Sequence, residues 1–145
     1  MFVKISDGQI SKYPYSILDL RRDNPSTSFP KAISNDVLAI YGVFPVSVSA
    51  APTFDALVET LVLQDAPIET AGQWSISYDV EQKPEAMASA NVRNERSRLL
   101  SKTDWMALSD NTMTTEWASY RQALRDITSQ SGFPYSVEWP AAPGE

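Results

Sequence analysis

The feature that most constrains this chain is an interval where proline and glycine are missing. All ten prolines lie at or before Pro84, or at or after Pro134, and from Glu85 to Ser131 there is neither proline nor glycine. Both residues end helices or open turns, so an interval without them predicts long helix. Upstream, Pro14, Pro25, Pro30, Pro45, Pro52 and Pro67 fall too close together for long helices and suit short strands and extended loops. The chain therefore reads as α+β. A small β-rich region over 1–82 precedes a C-terminal antiparallel helical hairpin over 83–131, and an extended aromatic tail covers 132–145.

Within the β-rich region, Phe2-Val3-Lys4-Ile5 predicts a strand, Asp7-Gly8 a tight turn, and Gln9–Tyr13 the return strand of a hairpin. Arg21–Ser28 is polar and rich in turn residues, and is expected to be loop. Ser34 as cap and Gly42 as stop predict a short helix between them. Val43–Val48 reads as extended, and Val58–Gln64 and Gln73–Val80 as strands. In the last of these, Trp74, Ile76, Tyr78 and Val80 alternate with polar residues, the period of a half-buried strand. Ala71-Gly72 supplies the turn before it.

Pro84 is expected to open the first long helix, which runs to about Leu100. Thr103-Asp104-Trp105 predicts a cap and a short helical turn reaching Leu108, broken by Ser109-Asp110-Asn111. Thr114 or Thr115 caps the last helix, with Glu116 in its first turn, where the helix dipole favours a carboxylate. That helix is expected to reach about Gln130, with Gly132 ending it. Trp117, Tyr120, Leu124 and Ile127 recur at intervals of 3, 4 and 3 residues, an apolar stripe along one helix face. The connection is short, so the two helices are expected to pack antiparallel.

Composition excludes more chemistry than it offers. Cysteine and histidine are both absent, which removes disulfides, thiolate metal sites, cysteine nucleophiles and the commonest general base and metal ligand. No G-x-S-x-G elbow and no phosphate-cradling glycine loop occurs, and none of the acids clusters in a calcium-loop pattern. The expectation is a protein that is not an enzyme, with no catalytic residue, no cofactor, no metal and no small-molecule substrate. A net charge of −6 argues against nucleic acid and against an anionic membrane surface as partners. No apolar run is long enough to span a bilayer. The opening MFVKISDGQI lacks the long apolar run of a signal peptide, so a cytoplasm is the expected place of synthesis and residence.

The aromatic residues carry the most information. Leu99, Trp105, Leu108, Trp117, Tyr120, Leu124 and Ile127 are expected to form the packed core of the helical region. Phe133, Tyr135 and Trp139 follow the last helix with no long element to pack within. They either fold back over the helices or dock on a partner, because exposed aromatics mark interfaces. Arg121 and Arg125 lie four residues apart on the flank of the Trp117–Ile127 stripe. They are either solvated or neutralised by Asp104 or Glu95. Together with Phe133, Tyr135 and Trp139 they form the expected partner-binding set.

In running form the helical region reads RNERSRLLSKTDWMALSD, then EWASYRQALRDI, then GFPYSVEWP. This ordered pattern resembles the phage tail assembly chaperone family, which includes tail fibre assembly proteins. The N-terminal stretches LRRDNPSTSFP and VLAIYGVFPV, and the G-x-W strand at Gly72 and Trp74, are similar to the region often joined to that domain in phage proteins. The resemblance implies a bacteriophage protein that binds a tail fibre or baseplate protein and assists its assembly in the host cytoplasm. The alternative it leaves open is a structural subunit retained in the virion tail, fibre or baseplate.

Overall fold

The chain reverses at Asp7-Gly8 as its sequence dictates. In the computed structural model, which describes residues 1–108 and 112–144, these two residues take φ of 53° and 76°. Two successive positive φ angles are what a two-residue turn needs to match the twist of the strands it joins. The turn joins β1 (Phe2–Ser6) to β2 (Gln9–Tyr15), which pair antiparallel.

Helix α1 (Ile17–Asp23) follows directly, so the loop expected over Arg21–Ser28 starts later than the sequence reading has it. The cause is local. The Ser16 hydroxyl accepts the Asp19 amide at 3.1 Å, and the Asp19 carboxylate accepts the Ser16 amide at 3.0 Å. This reciprocal capping box satisfies two donors at the start of the helix, and Leu20 is then fully buried. Helix α2 (Asn35–Ile40) is capped by Ser34 as expected, and Gly42 follows at φ 68°.

Strand β3 (Val43–Val48) pairs antiparallel with β1, aligning Phe2 with Pro45. After β4 (Glu59–Leu63) and β5 (Ile68–Thr70), strand β6 (Gln73–Ile76) pairs parallel with β3 and antiparallel with β5. The resulting five-stranded sheet has the order β2-β1-β3-β6-β5. The single strand expected over Gln73–Val80 is in fact two. Strand β7 (Tyr78–Gln82) leaves the five-stranded sheet and pairs with β4 instead. Alternation continues through Ser77, so periodicity alone carries no sign of the change of partner.

The chain divides into two compact units, one of Met1–Pro52 and Leu61–Asp79, the other of Thr53–Thr60 and the residues from Val80 onward. The first unit packs Tyr15, Leu20, Leu38 and Val43 in one cluster and Val3, Val46 and Ile76 in another. The second unit is mainly helical. Helix α3 (Glu85–Ser101) begins immediately after Pro84, which sits at the cap position rather than inside the helix. A short 3-10 turn (Asp104–Ala107) and helix α4 (Thr115–Asp126) follow, and a second 3-10 turn (Ile127–Ser129) continues α4. The expected break at Ser109-Asp110-Asn111 lies outside the described residues. The Thr114 hydroxyl accepts the Trp117 amide at 3.5 Å, the cap foreseen for the last helix. The core of this unit is Val58, Ala88, Val92, Tyr120, Leu124 and Ile127. Three of the four stripe residues are thus buried, and Trp117 packs half-buried against them.

Candidate functional site

Tyr120, Leu124 and Ile127 turn one face of α4 onto α3, and Arg121, next in sequence to Tyr120, goes under with them. Only 7% of Arg121 is exposed. Its Nη1 donates to the Leu100 carbonyl at 3.1 Å and to the Thr103 Oγ1 at 2.5 Å, and its Nη2 donates to the Asp104 carboxylate at 2.9 Å. Thr103 is itself engaged, its hydroxyl donating to the Leu100 carbonyl at 2.9 Å, so it does not cap the following turn with its side chain. The last carbonyls of a helix lack partners within the helix and favour a cation. Arg121 meets both needs at the end of α3, and Asp104 balances its charge.

This corrects the expectation that Arg121 lies on a partner-facing flank, while its neutralisation by Asp104 is as foreseen. Glu95 has a different partner, pairing with Arg98 one turn along α3, which holds its carboxyl below the usual range. Arg125 is exposed. At the start of α4, the backbone amide and the Thr114 hydroxyl lower the Glu116 carboxyl in the same direction.

With the 3-10 turn pinned by Arg121, Trp105 within it and Leu108 just after it face solvent. Trp105 is 56% exposed and Leu108 58%, so neither belongs to the core in which they are expected. A 3-10 turn advances three residues per turn rather than 3.6, and Trp105 and Leu108 follow the end of α3 instead of extending its buried face. A groove of about 320 Å³ lies between α3 and α4. Leu99, Met106, Trp117 and Tyr120 line it, and the Trp117 and Tyr120 rings meet edge to face at 5.7 Å.

The segment after α4 returns to these helices. Gly132 makes a close turn in which the Ser136 amide donates to the Gly132 carbonyl at 2.7 Å, and a Cβ at Gly132 would stand 2.1 Å from the Ser136 oxygen. Pro134 is buried, and the Arg93 guanidinium lies 5.2 Å over the Phe133 ring. The Tyr135 hydroxyl donates to the Lys83 carbonyl at 2.8 Å. Phe133, Tyr135, Val137 and Trp139 all pack half-buried on the core of this unit. Of the expected partner-binding set, the structure therefore brings Phe133, Tyr135 and Trp139 onto the helices, buries Arg121 and leaves Arg125 at the surface.

Among the described residues, no group of three or more acidic side chains is placed to hold a metal ion. No described helix is long and apolar enough to cross a membrane.

Residues 89–144 match the family model of phage tail assembly chaperone proteins. The match runs from the second turn of α3 through the Arg121 cluster and α4 to the returning segment, and it bears out the resemblance read in the C-terminal part of the sequence. It begins at Ser89, so the likeness read in the N-terminal stretches has no counterpart in it. No curated protein and no solved structure matches the chain. The exposed Trp105 and Leu108 are the surface residues that spacing missed. The signal that could have flagged them is the Thr103-Asp104 pair, which offers short-range hydrogen bonds that compete with continued α-helix.

Proposed function

We propose that this protein is a non-enzymatic bacteriophage tail protein that binds a tail fibre or baseplate protein in the host cytoplasm and assists its assembly. The observation that carries the reading is the phage tail assembly chaperone match over residues 89–144. The matched segment comprises the elements that build the groove and display Trp105 and Leu108. Exposed aromatic and aliphatic side chains suit a protein-binding surface. Binding is also the task open to a chain without histidine or cysteine, since few routes to an activated nucleophile remain.

Co-expression with each tail gene of the same phage, followed by affinity purification, tests the reading. The expected result is co-purification with one fibre or baseplate protein, and more soluble yield of that protein than when it is expressed alone. A phage deleted for this gene that still makes complete, infectious tails would overturn the assembly role. Mass spectrometry of purified virions would then separate a factor that leaves from a subunit that stays.

A further inference from the structure

The two faces of the five-stranded sheet differ in what packs on them. Tyr15 and Val43 pack with Leu20 of α1 and Leu38 of α2, so both helices lie over one face. Val3, Val46 and Ile76 form the cluster on the other face, with Phe44 and Trp74 half-buried against it and no helix residue among them. Register agrees, since Val3 aligns with Phe44, and Val46 with Trp74. Phe44, Val46, Gly72 and Trp74 line a cavity of about 370 Å³ in this part of the sheet. Glu69 of β5 stands directly opposite Trp74. Thr70 and Gln73 flank the two-residue turn Ala71-Gly72, so Glu69 and Trp74 are the next, non-hydrogen-bonded pair. Their Cβ atoms are then about 5 Å apart on one face. The Glu69 amide and carbonyl point away from β6, toward the open side of a strand that is last in the sheet order and exposed throughout. Among the described residues, no ion pair involves Glu69.

We infer that this cavity and the β5 edge receive an extended segment of a protein partner, with an arginine set against Glu69 and Trp74. Charge selects the occupant. Between Lys31 and Lys83 stand seven acids, Asp36, Asp55, Glu59, Asp65, Glu69, Asp79 and Glu81, and no lysine or arginine. Such a run repels a phosphate backbone and draws in a cation. The carboxylate beside an indole narrows that cation to arginine. A guanidinium lies flat on an aromatic ring and its fork grips a carboxylate at two points, which an ammonium does not. The outward backbone of Glu69 offers the hydrogen bonds of one more strand, the mode by which extended peptides join a sheet edge. An apolar side chain on the same face of that segment fills the cavity and gains the contacts it now lacks. The surface lies outside residues 89–144, so the inference does not rest on the family match or on the tail-binding reading.

The test uses the full chain, followed by NMR, and short synthetic peptides that alternate valine and threonine around a central arginine, citrulline or glutamate. Citrulline keeps the shape of arginine without its charge. The arginine peptide is expected to move the Trp74 indole and Glu69 amide signals and to leave the indoles of Trp105, Trp117 and Trp139 in place. At low salt it is expected to bind about fivefold more tightly than the citrulline peptide, the upper range for an exposed ion pair, and the difference shrinks as salt rises. Glu69→Gln is expected to erase that difference, and Glu69→Lys to make the glutamate peptide the tightest binder. Both substitutions fall on an exposed edge strand, so the sheet amides are expected to keep their positions. The inference is overturned if the three peptides bind alike, if none saturates, or if the preference for arginine survives Glu69→Lys. It is equally overturned if either variant loses the sheet, because the carboxylate is then structural. Trp74 signals that change with protein concentration alone would make a second copy the occupant and overturn it too. No tail protein enters these readouts. A failure here therefore leaves the tail-binding reading standing, and a chain that captures the arginine peptide but no tail protein breaks only that reading.

Discussion

The N-terminal unit changes direction through local chemistry, whereas the C-terminal unit does so through contacts made far along the chain. Asp7-Gly8 and Ala71-Gly72 each place two consecutive residues at positive φ, and the strands on either side follow from the turn. Helix α1 likewise starts where Ser16 and Asp19 cap each other within three residues. In the C-terminal unit the decisive contacts are distant. Arg121 reaches Leu100, Asn91 donates to the Leu57 carbonyl, and Tyr135 reaches Lys83. Gly132 is a local exception, its hydrogen atom leaving room for the Ser136 carbonyl four residues on. A segment built from turns is specified by neighbours in sequence, and one built from packed helices by which side chains meet.

The largest expected effect tests the packed unit. Leu124 is fully buried, and Leu124→Ala should cost about 2–5 kcal/mol, read as a lowered midpoint with unchanged slope in urea unfolding. An effect below about 1 kcal/mol would mean that the α3–α4 packing does not hold this unit together.

Gly132→Ala should follow at about 1–3 kcal/mol, because the clash is with backbone that has no rotamer to escape into. Gly8→Ala meets no atom within 4 Å and should cost only the left-handed backbone term, about 1 kcal/mol. If thermal melting reversed the order of these two glycine variants, the close approach of the Ser136 carbonyl would not be what requires glycine at 132.

Trp105→Ala should change stability by no more than about 0.5 kcal/mol despite removing the largest side chain, since the residue is mostly exposed. A weaker complex with the proposed tail partner at unchanged melting temperature is the outcome that sharpens the picture.

The smallest effect lies in the local chemistry of the first unit. The Lys12 ammonium, then the Ser16 hydroxyl, hold the Asp19 carboxyl well below the usual carboxylate range. A depressed folded-state value means this contribution is present at neutral pH and is lost only as pH falls through that lowered value. Lys12→Ala should bring the Asp19 titration, followed by its carboxyl carbon shift, back toward the ordinary carboxylate range. A titration unmoved by the substitution would show that Lys12 is not the dominant partner.

The sequence by itself determined the α+β class, the Asp7-Gly8 hairpin, the two helices of the interval free of proline and glycine, and the buried face Tyr120-Leu124-Ile127. Each follows from turn chemistry or from a repeat matched to one period, which are properties of neighbouring residues. It also carried α1 in the Ser16-x-x-Asp19 box, although the polar residues after it masked the signal. Tertiary structure alone decided the rest. Strand β7 changes sheets without a break in alternation, because either partner satisfies the same period. Arg121 is buried because the end of α3 presents a carbonyl and a threonine to it, and no spacing rule shows which helix end a long side chain will reach. Trp105 and Trp117 look alike in sequence. One is exposed and the other half-buried because a 3-10 turn and an α-helix aim equivalent residues differently, and only the packed helices fix which aim faces solvent.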